Sequence, residues 1–205
     1  MIHPAPSLNI NQLEKALNIK TIRSINKPLI LFNSSIVERK KVEKAISYFE
    51  KSDLVKRGFL LCIAGKMHQN KYCNFIKNIC NDKEYICLLD YVDEVEKAWL
   101  FLNASLLIST SYVEGFGVPI LDALSLNLPT LASNIPTFKE IKKLNKSNLL
   151  ELINLNEELT WKDKLNKTKA LNINIKELKL IRINHFKHFI DKFENDLISK
   201  ISSYI

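Results

Sequence analysis

Glycine is nearly missing from this sequence. Four glycines stand among 205 residues, where ordinary usage of roughly 7% would place about 14. Lys, Asn and Ile are abundant, as though glycine had been replaced wherever replacement was tolerated. The glycines that remain then mark positions where nothing else fits, and two of them, Gly115 and Gly117, share one tetrapeptide. Long apolar runs are missing too: none approaches the ~20 residues of a membrane-spanning helix. The start, Met1-Ile-His-Pro-Ala-Pro6, has neither the basic nor the apolar region of a signal peptide, so the expectation is a cytoplasmic protein.

The four cysteines (Cys62, Cys73, Cys80 and Cys87) form no CxxC pair, and no His lies at metal-ligand spacing from them. Cys62 and Cys87 fall inside apolar runs, where a free thiol packs as a small hydrophobe. His185 and His188 are three apart on an expected helix but lack a third ligand. No metal and no cofactor are expected. The hydrophobic fraction of 46% and the charged fraction of 25% are ordinary globular values and exclude a disordered chain, a collagen or a coiled-coil rod. The net charge of +8 is spread out, with some concentration over residues 139–187. No nucleic-acid module and no aromatics interleaved with basic residues accompany it, so nucleic acid is not an expected partner. A solvated face, the phosphates of a small molecule or anionic lipid headgroups all remain compatible with the charge alone.

What is present is alternation. Leu29–Asn33, Phe59–Ala64, Tyr85–Leu89, Leu106–Ser109 and Pro129–Ser133 read as strands. Helices are expected at Arg39–Lys51, Asn70–Cys80, from the cap Asp93 to Leu102, and at Val118–Leu126. Strands and helices alternating in this way argue for a parallel sheet with helices on both faces and right-handed crossovers. Ligands then bind outside the carboxyl ends of the strands. Asn148–Ile153 fits either one more short strand or the start of a helix. Helices are expected at Glu157–Ala170 and Ile175–Ile201, the latter with a break near Asn184, and a short one at Asn11–Leu17.

The stretch Ser109-Thr-Ser-Tyr-Val-Glu-Gly-Phe-Gly-Val-Pro-Ile-Leu-Asp122 carries the chemistry. A strand ends at Ser109, and a turn brings Glu114 and the Gly115-Phe-Gly117 loop to the carboxyl edge. Glycines let a backbone come close to a ligand, and Pro119 suits the first turn of the next helix. Free N–H groups and the helix dipole there suit an anion such as phosphate. Glu114 before that end and Asp122 one turn inside it flank the phosphate position. Two carboxylates around a diphosphate suit a ligand with hydroxyls at both ends, the shape of a nucleotide-sugar.

Glu114-Gly-Phe-Gly-Val-Pro-Ile-Leu-Asp122 resembles the E-x7-E motif of retaining GT-B glycosyltransferases of the family 4, or group 1, class. Matches run in order over roughly residues 29–141. Ser34-Ser-Ile-Val-Glu-Arg-Lys-Lys-Val42 is similar to the basic turn that contacts diphosphate, and Asn103–Ser111 to the strand before the motif. Leu126-Asn-Leu-Pro-Thr-Leu-Ala-Ser-Asn-Ile-Pro-Thr-Phe-Lys-Glu140 is similar to the segment after it. The resemblance implies one Rossmann-like half of a GT-B fold plus C-terminal helices. Its parts are a linker and short helix at 1–27, a nucleotide-sugar-binding domain at 28–155, and helices at 156–205 packing on it.

It also implies roles. Glu114 would bond the donor sugar's hydroxyls, and Gly115, Phe116, Gly117 and Val118 would present backbone N–H groups. Asp122 would accept from the ribose hydroxyls, and Lys40 would neutralise the leaving diphosphate without a metal. Gly65 and the backbone near Tyr91 and Val92 would lie by the base. Ser35 and Arg39 would also contact the donor. Departures from the family are Ser34-Ser35 in place of Gly-Arg, with Arg39, displaced in sequence, as the substitute cation, and Lys41 where Gly is common. A shorter second carboxylate and Leu126-Asn-Leu128 before the proline complete them. The implied reaction transfers a sugar to a carbohydrate or lipid-linked acceptor with retention. His3-Pro-Ala-Pro6 resembles the interdomain linker, so a separate N-terminal half is an expected partner. The tail's basic face has core packing or the inner face of a membrane as its two placements. The competing expectations are a catalytically degenerate GT-B half that binds nucleotide or partners, and a basic module for nucleic acid.

Overall fold

The computed structural model describes residues 5–20, 22, 25–145, 148–170 and 175–202. Residues 1–4 of the expected linker lie outside them. Six strands form one parallel sheet: β1 (Leu29–Asn33), β2 (Leu60–Ala64), β3 (Ile86–Leu89), β4 (Ala104–Ser109), β5 (Thr130–Ser133) and β6 (Leu150–Ile153). Their order is β3-β2-β1-β4-β5-β6, and every pair is parallel. The expected α/β, Rossmann-like class is the one observed. The order reverses between β1 and β4, the place where such sheets open a crevice at their carboxyl ends.

Eight helices accompany the strands among the described residues: α1 (Ile10–Leu17), α2 (Val42–Lys51), α3 (Lys71–Cys80), α4 (Glu94–Asn103), α5 (Val118–Ser125), α6 (Pro136–Asn145), α7 (Glu158–Asn166) and α8 (Ile175–Ser202). Alternate residues of each strand point to opposite sides, which divides the core in two. Leu29, Leu31, Cys62, Leu107 and Ala132 face α1, α4, α5, α6 and α8. Ile30, Phe32, Leu61, Ile63, Ile108 and Leu131 face α2, α3 and α7. Polar side chains close the helix starts. Asn9 and Gln12 form a capping box on α1, Asp93 and Glu96 do so on α4, and Asn70 caps α3.

Several boundaries differ from expectation. The expected helix from Arg39 is a 3-10 turn, Glu38–Lys40, followed by α2, because Lys41 takes a left-handed conformation at φ 49°. Asn148–Ile153 resolves as a strand, since Thr130 to Ser133 of β5 pair with Leu150 to Ile153 in register. α6 was not expected as a separate helix. α8 runs unbroken through Asn184.

The last helices are tied down by specific contacts. Trp161 of α7 is fully buried and stacks on Tyr48 of α2 at 5.1 Å, and its indole N–H donates to Asn154 O at 3.1 Å. Arg182 of α8 is buried and donates to the carbonyls of Phe101 (3.0 Å) and Leu102 (2.8 Å) in the last turn of α4. Those carbonyls have no partner within their own helix.

Candidate functional site

The loops after β1 and β4 meet at the switch point, and the backbone stitches them together. Tyr112 N–H donates to Arg39 O at 2.7 Å, and the Thr110 hydroxyl donates to Lys41 O at 2.8 Å. Lys40 and Glu114 are thereby brought face to face, with side chains 7% and 10% exposed, and they form a direct ion pair. The Ser111 hydroxyl donates to Glu114 Oε1 at 2.6 Å, and Arg39 reaches Oε2 at 3.2 Å and Val113 O at 3.0 Å. The backbone of Glu114 is fixed as well, because Thr137 at the start of α6 donates its hydroxyl to Glu114 O at 2.7 Å.

These contacts set the charge states. Burial pushes the Glu114 carboxyl up, but the hydrogen bonds from Lys40, Ser111 and Arg39 and the charge of Lys40 outweigh it. The group is held below the usual carboxylate range. Lys40 is shifted down: burial is the largest cause, and Glu114 only partly offsets it.

Directly after Glu114 the chain enters α5. Gly117 is its N-cap at φ 67°, and a Cβ there would meet Ile141 Cδ1 at 2.8 Å and Phe138 at 3.0 Å, so packing and backbone both demand glycine. Pro119 sits in the first turn, and no side chain caps the helix among the described residues. The Ile120 and Leu121 amides donate back to Gly117 O at 2.9 and 3.3 Å and Pro119 has no N–H, so the orphan donors of this helix start lie before Pro119. Gly115 differs from Gly117, since a Cβ on it would meet nothing within 4 Å. Neither packing nor a left-handed backbone explains why this glycine-poor chain keeps it.

Other expected site residues are spread along the carboxyl edge. Ser35 is exposed in the loop after β1. Gly65 ends β2 beneath that loop, where a Cβ would lie 1.7 Å from Ser34 O, and its N–H donates to Leu89 O and Asp90 O. Tyr91 is exposed after β3, whereas Val92 packs its side chain into the core. Exposed Tyr112, Val113 and Phe116 stand beside Glu114 in the β4–α5 loop. Val118 opens α5, half-buried.

Asp122 departs from its expected place. It is fully buried, and its carboxylate accepts from Ser7 and Leu8 of the segment before α1, beside Lys97 of α4. The carboxylate is thus taken up by residues 7–8 and faces Lys97 of α4. Burial raises its carboxyl above the usual range despite Lys97 and the Ser7 and Leu8 donors. Ser111, Thr110 and Thr137 were not singled out in the sequence. Ser111 had a local signal, three residues before a carboxylate at a strand end. Thr137 had none, because it reaches Glu114 only through the packing of α6.

A separate cleft of about 500 Å³, lined by Leu124, His185, His188 and Phe189 among others, lies against α8 at the end of α5. That end leads into β5, so the cleft belongs to the amino edge of the sheet. Among the described residues, no three of His, Cys, Asp and Glu converge as metal ligands would. None of their helices is long and apolar enough to cross a membrane.

The family model for glycosyl transferases group 1 matches residues 15–182. The chain belongs to this family. The O-antigen chain mannosyltransferase RfbU of Salmonella typhimurium is 23% identical to this group 1 member over 192 residues, covering 78% of this chain and 51% of RfbU. O-antigen chain mannosyltransferase B of Escherichia coli is 35% identical over 57 residues, covering 28% of this chain and 15% of that protein. Among solved structures, WaaG, a glycosyltransferase of lipopolysaccharide biosynthesis, superposes with a TM-score of 0.63 at 17% identity, over 93% of this chain and 51% of WaaG. S. aureus TarM solved with UDP superposes at 0.62 and 17% identity, over 98% of this chain and 36% of TarM. The structural likeness is one of fold. This group 1 chain spans about half the length of RfbU, and less of the mannosyltransferase B.

Proposed function

We propose that this chain is the donor-binding half of a glycosyltransferase that moves a sugar from a nucleotide-sugar to an acceptor hydroxyl with retention of the anomeric configuration. The supporting observation is the Lys40–Glu114 pair at the switch point, set against the uncapped start of α5 and the unobstructed backbone of Gly115. A diphosphate arriving there divides the pair. Its oxygens draw Lys40 and Arg39 and accept from the amides of residues 115–118, while the freed Glu114 carboxylate accepts from sugar hydroxyls. As the bond from sugar to phosphate breaks, the charge developing on the leaving diphosphate is met by groups already in place, and no metal is required.

A second, acceptor-binding half completes the site in the manner of a two-half enzyme, and the donor-binding residues turn over little by themselves. Because the relatives include O-antigen mannosyltransferases, a nucleotide-activated mannose is the first donor to test and a carbohydrate acceptor of cell-surface polysaccharide the class to offer. The test is a thermal-shift panel of UDP, GDP, ADP and their sugar conjugates on this chain. One base is expected to raise the melting temperature by several degrees, as about 2.7 kcal/mol at 100-fold saturation would do, and Lys40→Ala is expected to abolish the shift. A shift that survives in Lys40→Ala would remove the diphosphate from this position. A panel without any shift would leave a degenerate half as the better description.

A further inference from the structure

Asp122 has no exposed surface, and both of its oxygens are occupied by groups from outside its helix. Oδ1 accepts the Ser7 N–H at 2.6 Å and the Leu8 N–H at 3.2 Å. Oδ2 accepts the Ser7 hydroxyl at 2.6 Å and lies 3.7 Å from Lys97 Nζ, which itself donates to the Ser7 hydroxyl at 2.5 Å. Leu8 is 3% exposed and belongs to the core, and α1 begins two residues later, packed on α4. Residues 7–8 are therefore anchored by packing as well as by hydrogen bonds. A carboxylate that holds a vicinal diol likewise takes a donor on each of its oxygens. Here the chain's own Ser7 supplies both.

We propose that Asp122 is a positioning residue that latches residues 7–8 across α4 and α5, so that this half binds a nucleoside diphosphate without reading its ribose hydroxyls. The proposal rests on the donor-binding reading above. Affinity then comes from the diphosphate end, through Lys40, Arg39 and the amides of residues 115–118. Deleting the ribose diol removes no partner of Asp122, because Ser7 and Leu8 already supply its donors. A carboxylate that did hold the diol would lose paired, buried hydrogen bonds with its removal, and those losses are large.

The experiment compares UDP, GDP and ADP with their 2′,3′-dideoxy counterparts by titration calorimetry on this chain and on Asp122→Asn. Amide exchange at Ser7 and Leu8 is followed by NMR. The dissociation constants of each ribose and dideoxy pair are expected to agree within about twofold in both proteins. Exchange at Ser7 and Leu8 is expected to be unchanged by nucleotide and at least about tenfold faster in Asp122→Asn. Dideoxy nucleotides binding about tenfold more weakly, with that difference lost in Asp122→Asn, would overturn the proposal. So would nucleotide-driven acceleration of exchange at Ser7 and Leu8. If Asp122→Asn does not fold, Ser7→Ala takes its place in the exchange arm, where unchanged protection of Leu8 would count against the latch. If no nucleotide binds at all, the donor-binding reading and the statement about ribose both fall. The exchange arm then judges the latch by itself.

Discussion

Lys40 and Glu114 stand 74 residues apart in the chain and close an ion pair between the loops after β1 and β4. Removing one partner strands a largely buried charge; removing both strands none. Lys40→Met is expected to cost about 2 kcal/mol, less than the ~3–5 kcal/mol of a fully orphaned charge, because Arg39 and Ser111 still hold Glu114. The double change Lys40→Met with Glu114→Gln is expected to recover part of that loss in denaturant titrations. Strictly additive losses would show that the two side chains are not coupled.

The two carboxylates give opposite pH dependences. Glu114 is held below its ordinary value by Lys40, Ser111 and Arg39, which together overcome burial. Its stabilisation is therefore full above the unfolded value of about 4.3 and is lost as pH falls through the lower folded value. Asp122 is raised, burial being the main cause. The folded protein holds that proton more tightly than the unfolded chain does. The stability Asp122 contributes is thus full below about pH 3.9 and is lost as pH rises through the higher folded value. Stability measured from about pH 3 to pH 6 is expected to depend less on acid in Glu114→Gln and to rise more steeply with pH in Asp122→Asn. Parallel curves for all three proteins would contradict both assignments.

Two glycines separate structure from ligand binding. Gly65→Ala places a Cβ 1.7 Å from Ser34 O, a backbone clash that the loops after β1 and β2 relieve only by moving apart. A loss of at least about 3 kcal/mol, or failure to fold, is expected. Gly115→Ala meets nothing within 4 Å and is expected to melt within about 0.5 kcal/mol of the parent. Its nucleotide-induced thermal shift should nonetheless be strongly reduced, and an unaltered shift would mean that no ligand approaches this backbone.

Lys41 adopts φ 49° at the start of α2. A side chain there costs roughly 1–2 kcal/mol, partly offset by the greater freedom glycine has when unfolded. Its ion pairs with Glu38 (3.7 Å) and Glu43 (4.0 Å) are partly exposed and add little. Lys41→Gly is expected to stabilise the protein by about 0.5 kcal/mol, which paired urea titrations would resolve. A destabilised variant would mean that the ion pairs outweigh the backbone strain.

Trp161 fills the contact between α7 and α2. Trp161→Ala is expected to cost about 3–5 kcal/mol in a single cooperative transition. A separate early transition, with the sheet melting as in the parent, would show that α7 is an appendage.

Much of the fold was legible because buried parallel strands are continuous apolar runs and surface helices carry a 3.6-residue period. Phe59 to Ala64 and Leu29 to Asn33 announced themselves in this way, and Asp93 was readable as a cap because capping is local. Helix α6 was harder to see, with only Phe138 and Ile141 buried along its ten residues. The expected break near Asn184 did not occur. There Ile183 and Phe186 pack into the core beside buried Arg182, which holds α8 straight through a residue of poor helix propensity.

The sequence by itself determined the alternation of strands and helices, the Glu114-Gly-Phe-Gly117 turn and the cation at Lys40, since each depends on neighbours within a few residues. Only the tertiary structure decided which groups meet. Lys40 reaches Glu114 because the strand order reverses between β1 and β4. Thr137 reaches Glu114 O because α6 packs against the start of α5. Asp122 is occupied by Ser7 and Leu8 because the segment before α1 and Lys97 of α4 come to lie against that side of α5. Contacts between residues distant in the chain are set by how whole elements pack, and no local pattern of residues encodes that.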